Sequence, residues 1–211
     1  MGKMRNGING PFTGKVGTGV GTTWMGKPVL RSLPSQRTKP FSPKELQQQA
    51  KFAMMSGFLQ PVISLLNETF KHMAVQMTGF NKGFSYNVKN AISGIHPELK
   101  IDYNMVFLGR GDLPNVESAS VASSSAGKLE FRWTDNSGKG KALATDKAFA
   151  AAYCEELKDW EYRLDLAVRS DGICVLDLTQ FSGKAVQTYI GFISANGKEV
   201  TDTVFTGSVN V

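Results

Sequence analysis

The sequence has 211 residues, enough for one large domain or two small ones. Its apolar fraction of 41% is too high for wholesale disorder, and no run approaches the ~18 uninterrupted apolar residues of a membrane span. The two cysteines, Cys154 and Cys174, lie 20 apart with no paired spacing, and there are only two histidines (His72, His96); a zinc site needs about four nitrogen or sulfur ligands, so no metal site is expected.

The net charge of +6 is unevenly placed. Residues 1–44 carry Lys3, Arg5, Lys15, Lys27, Arg31, Arg37, Lys39 and Lys44, and the first acid is Glu45. That segment is therefore basic, while the remainder is slightly acidic. Such an arm suits phosphate, an acidic protein surface or the chain's own body. The polar stretch Met1–Gly10 lacks the apolar core of a secretory signal. The expected compartment is the cytoplasm, with virion association as the alternative.

Along residues 1–40, glycines at 2, 7, 10, 14, 17, 19, 21 and 26 raise the cost of ordering. Val16, Val20, Trp24, Val29 and Leu30 interrupt them, which a plain flexible linker does not require. The spacing predicts short extended stretches that order by packing on protein. Val16, Val20, Trp24 and Val29 are the expected docking residues, with Lys27 and Arg31 at their rim. Two phosphate-binding patterns here are incomplete. Gly21-Thr-Thr-Trp-Met-Gly26-Lys27 is followed by Pro28 where a magnesium-binding hydroxyl belongs, and by an extended run where a helix belongs. Gly17-Thr-Gly19-Val-Gly21 lacks the dinucleotide spacing. Both read as glycine-rich strand and turn. Trp24 amid Lys27 and Arg31 also fits a base-stacking residue, but a single aromatic makes an anchor the better reading.

A helical block is expected over 41–97. Ser42-Pro43-Lys44-Glu45 combines an N-cap serine, a proline in the first turn and a capping-box glutamate. The first helix runs to about Leu59, with Gly57 read as permitting a close helix contact, and Pro61 ends it. Ile63, Leu66, Phe70, Met73 and Met77 mark a second helix, and Phe80, Phe84, Val88 and Ile92 a third. The methionines Met54, Met55, Met73 and Met77 are read as core.

Residues 98–211 are expected to be all β. Candidate strands are Ile101–Leu108, Lys128–Trp133, Lys147–Cys154, Trp160–Arg169, Ile173–Leu178, Val186–Ser194 and Glu199–Val209, with Val116–Ser125 an edge strand or loop. Asp171-Gly172 and Asn196-Gly197 suit tight hairpins. The two cysteines fall in strands and read as small buried apolar residues. The whole is an α+β chain: a basic glycine-rich arm, a short helical block and an antiparallel β-sandwich.

Catalysis requires a positioned pair or triad. His72, beside Lys71 on the second helix, reads as a surface or satisfied helical histidine, and His96 lies in a turn before Pro97. No serine occupies a nucleophile elbow. Asp135, Asp146, Glu155, Glu156, Asp159, Asp165 and Asp177 are scattered. No catalytic residue, cofactor or small-molecule ligand is expected.

Phe12-Thr-Gly-Lys-Val-Gly, Trp24-Met-Gly-Lys, Val29-Leu-Arg-Ser-Leu-Pro34 and Ser42-Pro-Lys-Glu-Leu-Gln-Gln-Gln-Ala-Lys-Phe52 resemble a bacterial family of unknown function common in Bacteroidetes. Phe58-Leu-Gln-Pro61, Tyr86-Asn-Val-Lys-Asn-Ala-Ile92, Phe131-Arg-Trp-Thr-Asp-Asn136 and Phe205-Thr-Gly207 extend the resemblance to nearly the whole chain. It carries over no site residue. The N-terminal part is also loosely similar to phage and prophage structural proteins, and the C-terminal half resembles a fibronectin type III or immunoglobulin-like domain. The expected function is that of a non-enzymatic structural or protein-interaction protein, with a protein partner or self-association. The alternative is nucleic-acid binding through the arm. The third reading is an enzyme of unrecognised type.

Overall fold

The structure, a computed structural model, describes residues 2–4, 10–24 and 26–211. It forms two compact units, Met1–Ser42 and Pro43–Val211.

The first unit is an antiparallel sheet of four strands in chain order: β1 (Lys3–Met4), β2 (Phe12–Val16), β3 (Gly19–Trp24) and β4 (Lys27–Ser32). Two-residue turns join β2 to β3 and β3 to β4, with Gly17 and Gly26 at φ 55° and 78°, where L side chains are strained. The glycine pattern therefore serves hairpins, and the incomplete phosphate motifs lie within them. Gly21 is buried beneath Phe12; a Cβ there would come within 2.1 Å of the Phe12 carbonyl oxygen.

The second unit opens with α1 (Pro43–Leu59), which starts at the expected proline and ends in a 3₁₀ turn, Gln60–Val62, holding Pro61. Helix α2 spans only Ile63–Thr69. The predicted stripe to Met77 fails there, because Phe70 leaves helical geometry (φ −106°, ψ 5°). Ile63 and Met77 are partly exposed, while Leu65, Leu66 and Phe70 are buried. Turning the chain early brings α3 (Gly79–Asn90) back against α2, and Thr78 caps it by accepting from Asn81 N at 3.2 Å. The approach is close: a Cβ on Gly79 would lie 2.7 Å from the carbonyl oxygens of Leu66 and Asn67. Ile92 leaves the helix to begin β5 (Ile92–Ile95), which pairs with β6 (Glu98–Ile101). Of the methionines, Met55 is fully buried.

The predicted strand Ile101–Leu108 is corrected. After β6 the chain makes a 3₁₀ turn at Tyr103–Met105 and then runs as a strap. Buried Asn87 takes the place of a neighbouring strand, accepting from Phe107 N and donating to Phe107 O, both at 2.9 Å.

Seven strands complete the unit: β7 (Glu117–Ser125), β8 (Lys128–Thr134), β9 (Lys147–Cys154), β10 (Asp159–Val168), β11 (Ile173–Asp177), β12 (Ala185–Ile193) and β13 (Val204–Asn210). They form two antiparallel sheets, β11-β8-β7 and β10-β9-β12-β13. The first, second and fifth strands thus face the third, fourth, sixth and seventh, an immunoglobulin-like β-sandwich. The chain is α+β, a helical block followed by this sandwich. Val116–Ser125 supplies the edge strand β7.

One expected hairpin is not formed. Strands β10 and β11 belong to different sheets, so Asp171-Gly172 ends a crossover. Arg169 draws the chain inward at that point: its side chain is buried, and its carbonyl accepts from Trp133 Nε1 at 2.8 Å. At Asn196-Gly197 the chain does reverse, with Ser194 N bonded to Glu199 O at 2.8 Å, but the following strand starts only at Val204.

Two cores share β9. Ala148, Ala150, Ala152 and Cys154 face the space between the sheets with Phe131, Leu176 and Ile190. Phe149, Ala151 and Tyr153 face the helices with Leu59, Leu66 and Tyr189. A strand covered on both sides reads as a continuous apolar run, as Ala148–Cys154 does. The helical segment from Pro43 onward and the segment 98–211 therefore share packing within one unit. Cys154 and Cys174 are both buried free thiols in strands.

Candidate interaction surface

In the N-terminal sheet, side chains alternate between faces along each strand, and directly paired residues share a face. The register pairs Val20 with Arg31 and with Lys15, Thr22 with Val29, and Trp24 with Lys27. One face therefore gathers Lys15, Val20, Thr22, Trp24, Lys27, Val29 and Arg31. Five of the six expected docking residues (Val20, Trp24, Lys27, Val29 and Arg31) lie together. Val16 pairs with Gly19 and falls on the opposite face with Phe12 and Leu30. Trp24 is 52% exposed and Val29 42%. All of β4 is exposed.

The second unit holds a cleft of about 770 Å³ that no sequence pattern announces. Helix α1 contributes Met54, Gly57 and Phe58, the β6 strand Leu99 and Ile101, and the end of β9 Tyr153 and Glu155. Gly57 was expected to permit a close helix contact, but a Cβ there meets nothing within 4 Å; it faces the open cleft. Behind the lining, Phe58 stacks edge-on against Tyr153 and Trp160, with ring centroids at 4.7 and 5.0 Å. Burial raises the pKa of Tyr103 well above the usual phenol range, and the charge of Glu155 adds to the rise. Tyr153 is raised mainly by burial too. Both phenols are thus neutral hydrogen-bonding groups at ordinary pH. With Lys100 and Lys158 at the rim, the cleft can grip an apolar or aromatic group, and its lining contains no histidine or thiol.

His72, expected on the second helix, is exposed in a 3₁₀ turn beyond the end of α2, and His96 is exposed between β5 and β6. Asp146, read as one of several scattered carboxylates, is fully buried and ion-paired. Its Oδ2 accepts from Arg169 Nε at 3.1 Å and from Leu143 N at 2.9 Å. Arg169 also donates to Asn136 Oδ1 at 2.5 Å and Pro114 O at 3.0 Å, and its guanidinium lies 4.0 Å from the centre of the Phe192 ring. This network knits the end of the sandwich. Among the described residues, no three or more His, Cys, Asp or Glu side chains gather as a metal site, and no helix is long and apolar enough to cross a membrane.

A family model matches residues 11–207, from the start of β2 into β13. The chain belongs to the family of unknown function DUF6266. The DUF6266 match includes strands β2 to β4 of the N-terminal sheet as well as the sandwich. No curated protein matches the chain. Among solved structures, it is similar to the solution structure of the fn3 domain of the human collagen alpha-1(XX) chain, at 12% identity and a TM-score of 0.37, over 49% of this chain and 90% of that one.

Proposed function

We propose that this DUF6266 protein is a non-enzymatic interaction protein that docks through its N-terminal sheet. The observation that carries the reading is the single face on which Val20, Trp24 and Val29 alternate with Lys15, Lys27 and Arg31. A small sheet holds together by burying an apolar face, and the largest side chains of this face are exposed. Its chemistry fits an apolar protein surface rimmed by carboxylates, because aromatic anchors supply contact area and surrounding cations set orientation.

A photo-crosslinking residue placed at Thr22 tests this in the full-length chain. The expected result is a crosslink to a defined protein that is lost when Trp24→Ser and Val29→Ser are introduced together. Crosslinking to nucleic acid instead, with retention on DNA or RNA that collapses as salt rises, would replace the reading with the phosphate-binding one. Crosslinks that survive the double substitution would reject the face.

A further inference from the structure

Strand β4 ends its sheet, and its outer edge has no hydrogen-bonded strand beside it among the described residues. Which backbone groups point outward follows from the register. Leu33 N donates to Thr18 O at 2.8 Å, and the two-residue turn closes on the Trp24–Lys27 pair. Antiparallel pairs alternate between hydrogen-bonded and open ones. Lys27, Val29 and Arg31 therefore bond inward to β3, while Leu30 and Ser32 turn their N–H groups outward, with the carbonyls of Pro28, Leu30 and Ser32. Leu30 is 66% exposed. The outward donors and acceptors form a template for another strand.

We propose that β4 pairs antiparallel with β4 of a second copy, about a two-fold axis at Leu30, making one continuous sheet from two. This rests on the reading of the N-terminal sheet as the docking element, and it names the first partner as the chain itself. Charge selects the register. Centring the pair on Val29 would set Lys27 opposite Arg31, and centring it on Arg31 would set Arg31 opposite itself; like charges directly opposite destabilise a sheet. Centring on Leu30 sets Val29 opposite Arg31, whose aliphatic stem can cover it, and Leu30 against Leu30. Ser32 N–H then donates to the Pro28 carbonyl of the other copy. Pro28, which has no N–H to offer, is tolerated at an edge. The two docking faces become one surface of twice the width.

The test uses the full-length protein. Its mass in solution should be twice 23.0 kDa at high concentration. Leu30→Pro removes one outward N–H from an edge position, where proline leaves the inward ladder intact; it should return the mass to a single chain with an unchanged circular dichroism spectrum. Mild oxidation of Val29→Cys protein mixed with Arg31→Cys protein should give a disulfide-linked dimer, and neither variant alone should link. A single-chain mass for the wild type, a dimer that survives Leu30→Pro, or Val29→Cys protein linking to itself would each overturn the proposal. A monomer that still crosslinks to another protein at Thr22 would overturn the self-pairing alone and leave the docking face standing.

Discussion

Trp160, on β10, donates its indole N–H to the carbonyl oxygen of Phe58, 102 residues earlier, at 2.7 Å. That carbonyl lies in the last turn of α1, where acceptors lose their intrahelical donors. The sandwich thus caps the helix, and both rings belong to the same core. Trp160→Phe keeps much of the packing and removes the donor. The expected loss is about 1–3 kcal/mol, read as a lower urea midpoint. Helical and sheet signals should still melt together, because the helices and sandwich share a core.

The Asp146–Arg169 pair should show strong coupling. Either Asp146→Ala or Arg169→Ala leaves an unpaired buried charge and should cost about 3–5 kcal/mol. Asp146→Ala combined with Arg169→Ala should cost far less than the two single changes together. A thermodynamic cycle from chemical denaturation measures this; additive losses would mean that the pair does not act as a unit.

Two helical glycines should respond with opposite sign. Gly57→Ala meets open space and should gain up to about 1 kcal/mol in stability. Gly79→Ala drives a methyl into the backbone of α2 and should lose about 1–3 kcal/mol despite its better helix propensity. Thermal unfolding of the two variants side by side distinguishes them.

Alkaline conditions should destabilise the fold. Tyr103, Tyr153 and Tyr189 are raised above the ordinary phenol value, each chiefly by burial, and the Cys174 thiol is pushed up to about 12 for the same reason. For such acids the neutral form is favoured in the folded state. Their contribution is fully present below the unfolded pKa and is lost as pH rises through the folded one. Stability should therefore fall from about pH 9 upward, beginning near the ordinary thiol value and steepening near the ordinary phenol value of about 10. Phenolate absorbance should lag behind that of the denatured chain. Native protein should also resist thiol reagents at neutral pH.

The sandwich was legible because alternation and near-continuous apolar runs are local signals: Lys147–Cys154 was placed to the residue, and Lys128–Thr134 nearly so. The start of α1 was legible in the proline and its flanks. Failures came where one distant side chain decides the backbone. Asn87 holds residue 107 without a ladder, and Arg169 pulls a hairpin sequence into a crossover; the stripe at Met73–Met77 ends because Phe70 has already left helical geometry. Val16, Val20, Trp24, Lys27, Val29 and Arg31 stand out in the sequence as a set, but strand register is needed to separate Val16 from the other five. The aromatic cleft draws Phe58, Tyr103 and Tyr153 from separate elements, with Trp160 packed against Phe58 and Tyr153, and no periodicity links them.

The division of labour along β9 makes it resistant to slippage. A shift of one position would push Phe149 and Tyr153 into the narrow space that alanines now occupy between the sheets, and would leave methyl groups where the helices require rings. A sandwich strand with one side in water has its register set by a single buried face. Here either neighbour vetoes the error, so correct alignment of this strand and docking of the helices should be achieved in a single step.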